Sequence, residues 1–166
     1  MAKVFLSLGS NIDRARHIRA GLDALARLFG DLAVSRVFES EAVGFDGDNF
    51  YNLVVGLETE LPVGELALRL REIEDANGRL RAGPKFSART LDIDILTVDD
   101  LTGTIDGVKL PRAEILKNAF VLLPLAELAP EAVHPLAGKR YQQLWDEYDQ
   151  ASQKLWPVAF DWPEGE

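Results

Sequence analysis

Apolar and polar residues alternate along four segments of the first hundred positions, which is the pattern of half-buried β-strands. The segments are residues 4–8, 32–38, 50–59 and 91–98. Between them, apolar residues recur at three- and four-residue spacing from Ala15 to Phe29, and again after Pro62 as far as Gly78. This spacing predicts two amphipathic helices, so the predicted order of elements is β-α-β-β-α-β.

This order is typical of an α+β fold, the ferredoxin-like βαββαβ sandwich, in which both helices pack on one face of an antiparallel sheet. The other face must then be polar or be covered by later residues. The pattern further predicts an added hairpin over Thr104 to Leu110 and C-terminal short helices, the first over Phe120 to Leu128. We expect residues 1–166 to form a single domain, with residues 155–166 as a loosely packed tail.

Two acidic residues interrupt the apolar pattern of the last predicted strand, in the sequence RTLDIDIL at residues 89–96. On a strand, Asp92 and Asp94 point to the face opposite the helices, with their attachment points about 7 Å apart. Two carboxylates at this separation suit Mg²⁺, which prefers oxygen ligands and often binds substrate phosphates as well. A bare D-x-D pair is more often a solvated strand face, so the interpretation depends on the neighbouring residues.

Four cationic residues precede this pair, and no acidic residue lies between Asp75 and Asp92. They are Arg79, Arg81, Lys85 and Arg89. The chain as a whole carries a formal net charge of −9, so this is a local inversion of charge. Arginines together with a metal ion are the usual groups for phosphoryl transfer, and we therefore predict a magnesium-dependent enzyme that acts on a nucleotide.

Composition and charge argue against several classes of function. The acidic balance argues against general nucleic-acid binding, which needs a broad basic face. The chain has no cysteine and two histidines, which argues against a zinc site or a cysteine nucleophile. No apolar run is long enough to span a membrane, and we expect a cytoplasmic monomer.

Aromatic and amide residues are predicted on the same sheet face as the two aspartates. Phe50 and Asn52 alternate with the apolar face of their strand, and Phe120 follows the hairpin. Aromatic rings can stack on a flat heterocycle, while an amide hydrogen-bonds its edge. From spacing alone, a core phenylalanine and a structural asparagine are equally good interpretations.

Together these residues resemble the 6-hydroxymethyl-7,8-dihydropterin pyrophosphokinase family of folate biosynthesis. The resemblance extends from residue 6 to about residue 144. It is carried by LSLGSN (6–11), FYN (50–52), GRLR (78–81), RTLDID (89–94) and FVLLPL (120–125). The family has a ferredoxin-like fold, which agrees with the element order above.

The resemblance implies transfer of diphosphate from ATP to the hydroxymethyl group of the dihydropterin, with release of AMP. It implies that Asp92 and Asp94 bind two Mg²⁺ ions and that Arg79 and Arg89 are catalytic with them. The residues that match the family's pterin site are Ser40, Val43, Phe50, Asn52 and Phe120. Those that match its ATP site are Glu74, Arg79, Arg81, Arg89, Ile95 and Arg112.

The chain departs from the family pattern at Glu41, Ser87, Arg112 and Ala113. These departures favour an alternative hypothesis, a diverged paralogue that binds a pterin or a nucleotide with little or no pyrophosphokinase activity. A third hypothesis is a ferredoxin-like ligand-sensing module, which would need no magnesium. Release of AMP distinguishes the enzyme from both.

Overall fold

The computed structural model describes residues 1–41, 47–78 and 90–163. Its main sheet is antiparallel throughout, with strand order β5-β1-β4-β3-β8 and a short β2 that also pairs with β4. The strands of this sheet are β1 (Ala2–Ser10), β2 (Ala33–Val34), β3 (Val37–Ser40), β4 (Phe50–Thr59), β5 (Asp92–Val98) and β8 (Leu155–Val158). Strands β6 (Gly103–Ile105) and β7 (Val108–Leu110) form the predicted hairpin as a separate two-stranded sheet.

The two long helices, α1 (Arg14–Phe29) and α2 (Val63–Ala76), pack on one face of the sheet and enclose the larger apolar core. That core includes Leu6, Leu22, Leu53, Leu70 and Ile93. The order β1-α1-β3-β4-α2-β5 confirms the predicted ferredoxin-like α+β fold. The described residues include no helix with the length and apolar character needed to cross a bilayer.

The opposite face of the sheet is partly covered by α3 (Glu114–Lys117), α4 (Ala119–Leu128) and α5 (Tyr141–Glu147). A second apolar core lies there, formed by strand residues such as Phe5, Val54 and Leu96 with Leu122 and Tyr141 from the helices. The C-terminal helices therefore cover one part of this face, and the remaining part contains the polar residues described below.

The second predicted strand is divided into β2 and β3 because Ser35 takes part in the ladder with its side chain. Its hydroxyl accepts a hydrogen bond from the Val54 N–H at 2.9 Å, while its own N–H donates to the Val54 carbonyl. Ser35 thus makes both hydrogen bonds to Val54, one through its backbone and one through its side chain. The regular backbone pairing of the two strands is interrupted at this residue.

The prediction of a loose tail was wrong for residues 155–163. Strand β8 pairs with β3 at the edge of the sheet, from Val37↔Val158 to Ser40↔Leu155. Beyond it, the Trp162 indole N–H donates to an Asp23 carboxylate oxygen at 2.9 Å, which fastens the chain to α1. The prediction that residues 1–166 form a single domain stays a prediction.

Candidate active site

The two aspartates of β5 face the same side of the sheet, as the alternation predicts. Ile93 and Ile95 are buried in the core under α1 and α2, while Asp92 and Asp94 are half-buried on the opposite face. Both pair with β1, Asp94 opposite Ser7 and Asp92 opposite Gly9. The two carboxyl groups are close enough to hydrogen-bond to each other. They can therefore share one cation.

The electrostatics of the pair favour a positive ligand. Burial, the neighbouring Asp92 carboxylate and Glu74 together raise the pKa of Asp94 to about 7, against an ordinary value of 3.8. Two carboxylates so close repel each other unless a proton or a cation lies between them. The described residues contain no group of three or more acidic or histidine side chains that could enclose a metal by themselves. A pair of carboxylates is sufficient for Mg²⁺, which keeps several waters and takes substrate phosphates as further ligands.

A cleft of about 460 Å³ opens beside the pair. Its walls are α2, the outer edge of β5, the β6–β7 hairpin and Arg112. The structure brings five of the predicted site residues together along it: Asp92, Asp94, Ile95, Glu74 and Arg112. The volume lies within the range of small-molecule sites in proteins.

Glu74 is buried, with 6% of its surface exposed, and its carboxylate accepts a hydrogen bond from the Ile93 backbone N–H at 2.8 Å. Strand β5 is the edge of the sheet, so this N–H has no neighbouring strand to bond to. Glu74 thus holds the strand that carries the aspartates, and at the same time it adds negative charge near Asp94. The family resemblance implied a nucleotide contact at this position, and nothing in the sequence revealed the hydrogen bond to Ile93.

Arg112 lies where the cleft meets the carboxylate pair. One guanidinium nitrogen is 3.6 Å from an Asp94 oxygen, and another is 2.8 Å from Glu114. Its backbone N–H donates to the Leu96 carbonyl, which fixes the start of the side chain against β5. The guanidinium group of Arg112 therefore faces both the carboxylate pair and the cleft.

On the other side of the aspartates lie the residues predicted to contact the heterocycle. Gly9 separates the two groups, since it pairs with Asn52 of β4 on one side and with Asp92 on the other. A methyl group on Gly9 would lie 3.2 Å from the Asn52 side-chain oxygen and 3.7 Å from the Phe50 ring. Glycine at this position therefore leaves the sheet surface between Asn52 and Asp92 free of a side chain. The alternation along β1 is a signal that places Gly9 and Ser7 on this face, although no role at the site was predicted for either residue.

Asn52 is buried and held in place by Ser40 of β3, because its amide nitrogen donates to the Ser40 hydroxyl oxygen at 2.7 Å. Phe50 lies two residues earlier on the same face and pairs with Ser40. Phe120 is half-buried in the first turn of α4, a helix that packs against β3 and β4. Four of the five predicted pterin residues thus belong to elements that meet on one sheet face.

Several predicted site residues lie outside the described part of the chain. They are Val43 in the pterin set and Arg79, Arg81 and Arg89 in the nucleotide and catalytic sets. Ser87, one of the departures from the family pattern, lies in the same undescribed segment as the three arginines. Their roles stay predictions.

Comparison with known proteins gives the family. The model of the 7,8-dihydro-6-hydroxymethylpterin-pyrophosphokinase family matches residues 5–130. The chain belongs to this family. A 2-amino-4-hydroxy-6-hydroxymethyldihydropteridine pyrophosphokinase of Aquifex aeolicus is 36% identical over 141 residues, covering 84% of this chain and 88% of that protein. The enzyme of the same name from Pseudomonas aeruginosa is 38% identical over 133 residues, covering 78% and 82%.

Solved structures support the fold independently. The Plasmodium falciparum HPPK-DHPS protein superimposes with a TM-score of 0.69 over 89% of this chain and 44% of its own, at 15% identity. At that identity the likeness shows the fold alone. It agrees with the ferredoxin-like arrangement of the family.

Proposed function

We propose that this chain is a 2-amino-4-hydroxy-6-hydroxymethyldihydropteridine pyrophosphokinase, which transfers diphosphate from ATP to the hydroxymethyl group of the dihydropterin and releases AMP. The observation that carries the proposal is the Asp92–Asp94 pair between two different surfaces: a charged cleft on one side, and a buried amide with aromatic residues on the other. Two relatives that carry this enzyme name are 36% and 38% identical to the chain over most of its length. This similarity favours the enzyme over a binding-only paralogue.

In the proposed reaction, the cleft takes the nucleotide and the opposite surface takes the pterin. The alcohol oxygen forms a bond to the β-phosphorus while the bond from this phosphorus to the α,β-bridging oxygen breaks, and AMP leaves with that oxygen. The hydroxyl proton is lost to water, and we assign no side chain as a general base. Holding both substrates in line supplies a large part of the acceleration in such reactions.

Asp92 and Asp94 would hold magnesium, two ions by resemblance to the family. Bound there, magnesium would neutralise phosphate charge and polarise the phosphorus centre. Arg112 lies near enough to Asp94 to contact phosphate oxygens at the same place. Asn52, fixed by Ser40, would present its amide oxygen to the edge of the pterin, while Phe50 and Phe120 stack on its faces.

The test is formation of AMP from ATP, Mg²⁺ and 6-hydroxymethyl-7,8-dihydropterin. We expect AMP only when all three are present, and none from Asp94→Asn. The matched control is Asp100→Asn, which removes an exposed carboxylate just beyond the end of β5 and should leave turnover unchanged. A wild-type protein that binds pterin and ATP without forming AMP would refute the proposal in favour of the binding-only paralogue.

A further inference from the structure

The C-terminal segment reaches the α3–α4 junction through one side chain, Gln153. Its side-chain oxygen accepts the backbone N–H of Ala119 at 2.8 Å, and its side-chain nitrogen lies 3.3 Å from the Lys117 carbonyl and 3.2 Å from the Asn118 side-chain oxygen. These contacts span 34 to 36 residues of sequence. A single amide thus bonds to three consecutive residues.

The bond to Ala119 supplies an acceptor for a backbone N–H that has no acceptor within helix α4. Ala119 is the first residue of α4 and is fully buried, and the preceding Asn118 makes no side-chain cap. The first N–H groups of a helix have no partner within it, and an unpaired buried N–H is costly. Gln153 therefore caps α4 from a distant part of the chain.

The next residue of α4 is Phe120. Because the cap fixes the backbone directly before it, Gln153 sets where the first turn of α4, and with it this ring, stands over the sheet. The Tyr148 hydroxyl donates to the same Lys117 carbonyl at 2.7 Å, so the junction is held twice from the C-terminal side.

The same segment also pairs with β3, which carries Ser40 on the other side of the surface proposed to bind the pterin. Leu155, two residues after Gln153, pairs with Ser40, whose hydroxyl holds the Asn52 amide. Residues 153–155 therefore connect the helix that carries Phe120 with the strand that orients Asn52. These residues lie beyond residue 130, where the family match ends.

We infer that Gln153 is a positioning residue for the acceptor: it fixes Phe120 against the Ser40–Asn52 wall and so sets the affinity for the pterin. The inference rests on the proposed function, since it gives Phe120 the stacking role. In this inference Gln153 acts through the position of Phe120 and not through a contact of its own with the substrate. Loss of its bonds should therefore weaken pterin binding selectively and leave the nucleotide cleft intact.

The experiment compares Gln153→Ala with Gln150→Ala in the full-length chain. Gln150 lies in the same segment, and its amide bonds only to the Trp145 carbonyl, at 3.0 Å, among the hydrogen bonds described for it. From the usual worth of one hydrogen bond, we expect Gln153→Ala to raise the KM for the dihydropterin about 5-fold, with kcat and the KM for ATP changed less than about 2-fold. Gln153→Glu keeps an acceptor for the Ala119 N–H but replaces the donor that faces the Lys117 carbonyl, so it should recover only part of the affinity. Gln150→Ala should resemble the wild type.

Binding of 6-hydroxymethylpterin, followed by its own fluorescence, separates this inference from the proposed activity. If the wild type binds the pterin and Gln153→Ala binds it about 5-fold more weakly, but no AMP forms, the positioning role stands and the enzymatic proposal fails. If AMP forms but Gln153→Ala binds pterin like the wild type, or weakens both substrates equally, the positioning role is refuted. Should Gln153→Ala melt below the assay temperature, Gln153→Met, which fills the space without the amide, takes its place.

Discussion

Replacing Asp94 by asparagine should stabilise the metal-free protein at alkaline pH, although it removes one carboxylate of the proposed metal site. The cause is the pKa of Asp94, which burial and the neighbouring carboxylates raise from 3.8 to about 7. Between these two values the folded protein keeps a proton that the unfolded chain has released. The free energy of unfolding therefore falls as pH rises from about 4 to 7, and above pH 7 the full penalty is present.

The size of the penalty follows from the shift. About three pH units at about 1.4 kcal/mol each give a ceiling near 4 kcal/mol. The Asp94 side chain is 28% exposed and its charge is partly offset by Arg112, so we expect a measured gain of about 1–3 kcal/mol. For a chain of this length, that is a rise in Tm of roughly 2–10 °C.

The assay is thermal melting in EDTA at pH 8 and pH 5.5. A pH of 5.5 is only about 1.7 units above the pKa of this carboxyl in the unfolded chain, whereas the folded-state pKa is about 3 units above it. The gain in unfolding free energy from Asp94→Asn should therefore be roughly half of that at pH 8. Addition of Mg²⁺ at pH 8 should stabilise the wild type and not the variant, while Asp100→Asn should show neither effect. If Asp94→Asn melts at or below the wild-type temperature at pH 8, the repulsion we describe is absent and the cation-site interpretation fails.

Three further predictions concern the residues around the pair. Arg112→Gln should weaken ATP binding by about 10-fold, the usual contribution of a charge-assisted hydrogen bond, and unchanged ATP affinity in a titration would exclude a phosphate contact. The same change should raise the pKa of Asp94 further, because the charge of Arg112 lowers it. Gly9→Ala should weaken pterin binding more than ATP binding, because its methyl group would lie 3.2 Å from the Asn52 side chain; equal losses would point to misfolding of β1 instead. Glu74→Ala should lower the free energy of unfolding in urea by about 1–3 kcal/mol, because it leaves the buried Ile93 N–H unpaired. Glu74→Gln keeps an acceptor and should lower it less, and equal losses would contradict the role of Glu74 in holding β5.

The face of each strand was predictable because side chains alternate with period two. On β5 and β4, that period alone placed Asp92 and Asp94 on the same sheet face as Asn52, opposite the face covered by α1 and α2. The family resemblance supplied what periodicity cannot, namely which substrates these residues would contact. The fold and the positions of the carboxylates therefore followed from the sequence.

Features that depend on distant pairing were not predictable from local pattern. Strand β8 contains Pro157 and reads as a tail, and only its pairing with residues 37–40, far away in the sequence, makes it a strand. Proline is tolerated there because β8 is an edge strand. The break at Ser35 and the cap from Gln153 have the same origin, since each depends on a partner remote in sequence.

The position of β5 at the sheet edge bears directly on the proposal that the two aspartates act on two substrates. Its inner side pairs with β1, which places Asp92 beside Gly9 and, one strand further, Asn52, about 10 Å away at ordinary strand spacing. Its outer side has no neighbouring strand, so Glu74 takes the Ile93 N–H and the cleft opens along the exposed edge. A carboxylate pair on an inner strand would be flanked by strands on both sides and would lack this adjacent cleft. The edge position thus puts the proposed metal site between the proposed nucleotide cleft and the proposed pterin surface, where a group passing from one substrate to the other would lie.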